Sequence, residues 1–321
     1  MSRYAFRSGE ALDAAFRQIL RHQLRSAGRA LAVETTPALA VHRARRCLKR
    51  ARALLSLLSP AYGKRRWAKP AKALKAIADR LSGARDEQAR LDALARLAAG
   101  GRRPLPTSSL EVLRKVIETR RLELERAAEA ALEDDLTSRL ERVARKLGKT
   151  RLKRFGEPAL IDGIVRTYRR GRRAMRHAYA SGEDLDFHAW RREVQTHWRH
   201  MQLIAPRAPA EAIARAEAAK TLAGLLGEDH DLWLLLADLA DPALPLGQAA
   251  RQRLRRAIVA AQTALREQAK AIGDQLYAEK PKALRRWLLA AWDTPVAKSA
   301  VPVKRKSPAT RRAKASSLVA A

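Results

Sequence analysis

The chain has 321 residues, of which 66 are Lys or Arg and 33 are acidic, for a formal net charge of +33. The single cysteine, Cys47, excludes an intrachain disulfide or a cysteine-built zinc site. No apolar run approaches the roughly 20 residues that span a bilayer, and the N-terminus has no apolar signal core, so the chain reads as soluble and cytoplasmic, with no membrane partner.

Aromatics are scarce, Ala, Leu and Arg are abundant, and apolar residues recur at helical spacing almost throughout. The spacing predicts helices over about Glu10–Leu31, Ala38–Leu58, Lys64–Leu81, Arg85–Leu97, Ser109–Leu132 and Asp134–Leu147. After a break near Gly156–Pro158 a second series covers about Ala159–Ala180, Asp184–Ile204, Ala208–Leu226, Asp229–Leu239, Leu246–Ile272 and Lys282–Trp292. Thr36-Pro37, Ser59-Pro60, Gly63, Gly100-Gly101 and Ser181-Gly182 punctuate them. The fold class is all-α.

The two series match. In the second helix Val41, Ala44, Leu48, Ala51, Leu55 and Leu58 form a 3,4-spaced apolar seam. A shift of 146 residues gives Phe187, Trp190, Val194, His197, Met201 and Ile204, again mostly apolar. One residue after the first member of each seam stands a histidine, His42 or His188, followed at +3 and +4 by Arg45-Arg46 or Arg191-Arg192. The Ser82–Asp86 and Leu226–Asp231 turns keep nearly the same offset, and Arg17, Arg21, Arg25 and Arg29 answer Arg166, Arg169, Arg170, Arg173 and Arg176. These landmarks predict two pseudo-symmetric antiparallel helical bundles from an internal duplication, with a basic central cleft. The expected domain is residues 1–293, its bundles about 1–155 and 156–293, followed by a disordered basic tail over 294–321.

Between Glu34 and Asp79 there is no acid but there are twelve Lys or Arg. One sign sustained this long calls for a negative partner. His42, Arg45, Lys49 and Arg52 share one face of the second helix, beside the seam. Their stems pack at its edge and their charged ends project into a groove. In the second series Gln195 and Trp198 stand where Lys49 and Arg52 would repeat, so this stripe is shorter. Arginine forks and lysine point charges both suit phosphate oxygens. His197 lies on the seam and reads as structural; with His200 it forms an i,i+3 pair with no carboxylate on that turn, so neither a metal nor a cofactor is expected. Asp86 and Asp231 follow glycines and read as helix caps. Gly148-Lys149-Thr150 is not a P-loop, because Val143 occupies the position of its first glycine. With no base–nucleophile pair and no clustered carboxylates, the chain reads as a binding protein, not an enzyme.

Val41-His42-Arg43-Ala44-Arg45-Arg46-Cys47-Leu48-Lys49-Arg50-Ala51-Arg52 resembles the first signature of the CHAD family, the histidine-bearing α-helical domains. Phe187-His188-Ala189-Trp190-Arg191-Arg192 through His197-Trp198 resembles the second. Thr167–Met175, the Leu226–Leu232 turn and Ala278-Glu279-Lys280-Pro281-Lys282 resemble further segments, so the likeness extends over about Tyr4–Trp292. The resemblance implies a basic pore that binds inorganic polyphosphate and association with polyphosphate granules. It carries the ligand contacts onto His42, Arg45, Arg46, Lys49 and Arg52, and onto His188, Arg191 and Arg192. We add Arg17, Arg21, Arg25, Arg169, Arg170 and Arg173 from the matched arginine-rich helices. The alternative is a nucleoid-associated or RNA-binding protein using the same charge, with the 294–321 tail open to DNA or RNA.

Overall fold

The computed structural model describes residues 4–7, 9–34, 36–81, 83–100, 105–133, 136–148, 150, 152–207 and 209–293. The expected tail over 294–321 lies outside them. Among the described residues every regular element is a helix. The first series is α1 (Leu12–Val33), α2 (Pro37–Leu57), α3 (Ser59–Tyr62), α4 (Lys64–Arg80), α5 (Gly83–Gly100), α6 (Thr107–Glu133) and α7 (Leu136–Gly148). The second is α8 (Glu157–Ser181), α9 (Asp184–Ile204), α10 (Pro209–Ala240), α11 (Gln248–Leu276) and α12 (Pro281–Asp293). None of the described helices is long and apolar enough to cross a membrane.

The boundaries follow from local chemistry. Thr36 is extended and Pro37 opens α2, where a missing N–H costs nothing. The C-terminal end of α8 closes on Gly182, whose φ of 73° is left-handed and whose N–H donates to the Ala178 carbonyl. The expected break between Leu226 and Asp229 does not occur, because α10 runs through it. Gly227 admits a close approach there: a Cβ would lie 3.0 Å from the Arg191 guanidinium, whose end would have to shift. Asp231 therefore sits mid-helix and caps nothing, whereas Asp86 does lie in the first turn of α5.

Both seams are buried along their whole length, from Val41 to Leu58 and from Phe187 to Ile204. The larger apolar cluster joins α1, α2, α4, α7, α8, α9, α12 and the C-terminal half of α11 with the first half of α10. Trp190 is wholly enclosed at its centre, edge-on to Tyr179 at 5.7 Å between ring centroids. Tyr168 is also enclosed, and its hydroxyl donates to the Glu279 carbonyl at 2.9 Å. A smaller cluster packs Ala93, Leu94, Leu97, Leu113 and Ile117 of α5 and α6 against Leu232, Leu235, Leu239, Leu254 and Ile258 of α10 and α11. Neither cluster respects the expected boundary at residue 155: each contains residues from both sides of it.

The two series also meet closely where α8 crosses the end of α2. A Cβ on Gly163 would stand 2.9 Å from the Leu57 carbonyl oxygen, which is backbone and cannot step aside. Gly163→Ala should destabilise the protein by about 1–3 kcal/mol, the usual cost of overpacking. Gly224→Ala is the internal control, since nothing lies within 4 Å of its missing Cβ, and a helix-interior alanine should add roughly 0.5–1 kcal/mol. Urea unfolding followed by circular dichroism should rank Gly224→Ala at or above the wild type and Gly163→Ala clearly below it.

Candidate anion-binding cavity

With their apolar seams turned to the core, α2 and α9 project their polar stripes into one cavity of about 1470 Å³. The α2 side is extended by α4 and α5, and the α9 side by α8 and α10. Among the described lining residues twelve are Arg or Lys, three are His and three are acidic.

Most of the expected residues meet here. His42, Arg45, Arg46, Lys49 and Arg52 come from α2, and His188, Arg191 and Arg192 from α9. Arg170 and Arg173 of α8 join them. Arg17, Arg21, Arg25 and Arg169 do not line the cavity. The face of α1 that packs inward is the apolar one through Phe16, Ile19, Leu20 and Leu24. Arg21 and Arg25 are consequently exposed, and Arg17 pairs with Asp13 at 2.9 Å. Arg169 is likewise exposed, while its neighbours on α8 one turn either side, Arg166 and Arg173, reach the lining.

Several lining residues lay outside the expected set. Arg85 and Arg90 arrive on α5, Arg166 on α8, His230 and Asp231 on α10, and Arg199 on α9. Arg199 had a legible signal: it is four residues beyond Gln195 on the same helical face. Its repeat counterpart is Ala53, so the duplicated pattern drew no attention to it. With Arg166 and Arg199 added, the α8–α9 side is richer in cations than the replacement at Gln195 suggested. Gln195 and Trp198 line the cavity too.

The electrostatics are those of cations held together under partial desolvation. Burial lowers the Lys49 ammonium from its ordinary 10.5 to about 8, Arg45, Arg199 and Arg191 add to the effect, and Asp86 opposes it. Burial also brings His188 to about 4, helped by Arg191 and Arg192, and His230 to about 3, helped by His188 and Arg191. His42 is lowered by burial and by Arg85, Arg46, Lys49 and Arg45. The His188 and His230 rings are neutral at pH 7 and meet tilted by 36°, with 4.1 Å between centroids. The acids are occupied by arginines. Asp86 accepts from Arg45 at 3.3 Å, Glu193 pairs with Arg170, and Asp231 lies in the field of Arg191 and Arg96. Burial still raises Asp231 to about 6.

Two neighbouring groups are structural. His200 is fully buried, and its Nε2 lies 2.9 Å from the Ala53 carbonyl and 3.1 Å from Ser56 Oγ. His197 packs within the core against the Tyr168 ring at 5.6 Å. Asp229 faces away from the cavity, where it accepts from Arg266 Nε at 2.7 Å and ties α10 to α11. Among the described residues no three of His, Cys, Asp and Glu converge as a metal-binding group.

The CHAD domain family model matches residues 10–240, well over half the chain. The chain belongs to the CHAD family. Its fold is similar to the crystal structure of the CHAD domain from the plant Ricinus communis, with a TM-score of 0.54 at 19% identity over 89% of this chain and 94% of that one. No curated protein matches. The family match contains every expected cavity residue of this CHAD domain and ends with α10, whereas the structural likeness covers most of the chain.

Crowding cations into this cavity costs stability. The folded domain releases the Lys49 proton near pH 8, while the unfolded chain holds it to the ordinary 10.5. Below pH 8 the charged form therefore opposes folding in full, and the penalty fades as pH rises from 8 to 10.5. Lys49→Met should melt higher than the wild type in ligand-free buffer at pH 7, and its advantage should shrink across that window. Thermal melts at pH 7, 8, 9 and 10 read this directly; a constant difference would show that Lys49 does not titrate near 8.

Proposed function

We propose that this CHAD domain binds inorganic polyphosphate in the cavity between α2 and α9 and does not turn it over. The observation that carries the reading is the ratio of twelve Lys or Arg to three acids around one cavity. A polyphosphate chain supplies the missing negative charge as closely spaced anionic oxygens on a thin, flexible backbone. The guanidiniums offer forked donors to those oxygens, and Lys49 a mobile point charge. Polyphosphate would also pull the Lys49, His42 and His188 protons back on, because a nearby anion favours the charged form.

The same geometry disfavours nucleic acid as the cavity's ligand. A duplex is a stiff rod too broad to thread between helix pairs, and base readers of single strands present exposed aromatic platforms. The lining aromatics are committed: Trp198 lies under the Arg199 guanidinium, Trp67 packs edge-on with Tyr62, and His188 packs against His230. Binding without turnover is supported by the three acids, each held against or facing arginine and not gathered for a divalent ion. Residence at polyphosphate granules in the cytoplasm follows from the ligand.

The test is competition at fixed salt between labelled long-chain polyphosphate and duplex DNA or RNA on the full chain. Polyphosphate should bind tighter, and log K should fall with log[salt] by several units, as each contact to a single strand contributes about −0.7. Arg45→Ala with Lys49→Ala should weaken polyphosphate binding at least about tenfold, or 1.4 kcal/mol. Incubation with polyphosphate and Mg²⁺ should release no orthophosphate. Tighter DNA binding would favour the nucleic-acid reading, and His42-dependent phosphate release would make the protein an enzyme.

Affinity should also fall as pH rises from 7 to 9, since Lys49 loses its proton near 8 in the free protein. Lys49→Arg should flatten that dependence, because guanidinium stays charged throughout. Titrations at three pH values in matched ionic strength decide it.

A further inference from the structure

The central cavity does not end at the α8–α9 contact. A groove of about 430 Å³ opens between these helices, lined by Arg170, Arg173, His177, Arg192 and Glu193. Four of these, all but His177, also line the central cavity, so the two spaces share a wall. The α8 stripe runs from one into the other. Arg166 lines only the central cavity, Arg170 and Arg173 line both, and His177 lines only the groove. Spacings of 4, 3 and 4 keep the four residues on one face. They extend over about 16 Å of helix. Ala174 and Ala189 line the groove between the cations and leave room for a chain to lie there.

We infer that the α8–α9 groove is a second polyphosphate subsite, through which a long chain leaves the central cavity along Arg170, Arg173 and His177. The inference rests on the polyphosphate reading of the cavity and adds an extended footprint to it. Short phosphates fill the cavity alone, while long chains occupy both spaces, so chain length becomes a determinant of affinity.

Glu193 sets the threshold between the two. Among the described residues it is the one acid lining the groove, and it pairs with Arg170 on the shared wall. A phosphate entering the groove takes over Arg170 from this carboxylate. At the far end Asp186 accepts from Ser181 at 2.7 Å and lies 3.3 Å from the His177 ring, which closes the basic track.

The experiment compares tripolyphosphate with long-chain polyphosphate on the full wild-type chain, His177→Glu, Glu193→Gln and Lys49→Ala. His177 is 68% exposed, so placing a carboxylate there leaves the core untouched. His177→Glu should weaken long-chain binding about fivefold and tripolyphosphate binding by less than about twofold. Glu193→Gln should tighten long-chain binding about threefold by freeing Arg170. Lys49→Ala should weaken both ligands. Unchanged long-chain affinity in both groove variants overturns the subsite, as does an equal change for the two ligands in His177→Glu. If the wild type holds neither phosphate, the polyphosphate reading falls and the subsite with it; if Lys49→Ala loses tripolyphosphate while neither groove variant alters long-chain binding, only the subsite falls.

Discussion

Like charges repel, and a protein that gathers many cations around one cavity must hold them there against that repulsion. The structure does this by giving α2 and α9 two faces. On each, a 3,4-spaced seam is locked into the core, and the basic stripe beside it has no freedom to swing away. Because the seam residues have negligible exposure, the cation stems start from fixed points, and only their ends can adjust. The depressed protonation ranges of Lys49, His42 and His188 reflect first their burial at these fixed positions and then the field of the neighbouring cations.

The few acids in the cavity make the crowding tolerable without cancelling it. Asp86 holds Arg45 and Glu193 holds Arg170, which spreads partial neutralisation over both sides of the space. At the α5 edge of the cavity, and beyond it, the balance changes. Arg90 and Arg120 share Glu87 and Asp238, and Arg266 bridges Asp184 and Asp229. Of these carboxylates Glu87, Asp229 and Asp238 are buried; they fix helices to one another, and removing one partner of such a group would leave a costly unpaired charge. Acids are thus sparse around most of the cavity and matched to arginines where helices are joined.

Helical content, most helix limits and the two His/Arg stripes were legible because they depend on spacing within a single helix. The α9 span Asp184–Ile204 is a case in which the apolar periodicity alone places both ends. What failed depended on neighbours in space. Gly227 looked like a stop because glycine ends helices more often than it admits a guanidinium from the adjacent helix. The arginines of α1 looked equivalent to those of α8, yet α1 turns its apolar face inward and leaves Arg21 and Arg25 outside. Arg85, Arg90, His230 and Asp231 reach the cavity through the placement of α5 and α10, which no periodicity within either segment encodes.

The smaller apolar cluster has a consequence for biosynthesis. Its α5 and α6 residues end at Ile117, and their partners begin only at Leu232 on α10. More than roughly a hundred residues must be translated between them, which takes about 5–20 seconds at typical elongation rates. During that interval Leu94, Leu97, Leu113 and Ile117 have no native cover, so the nascent hairpin must wait with an oily face open to chaperones or to other ribosomes' products. α10 then begins to cover both clusters, and α11, which also enters both, completes the smaller one.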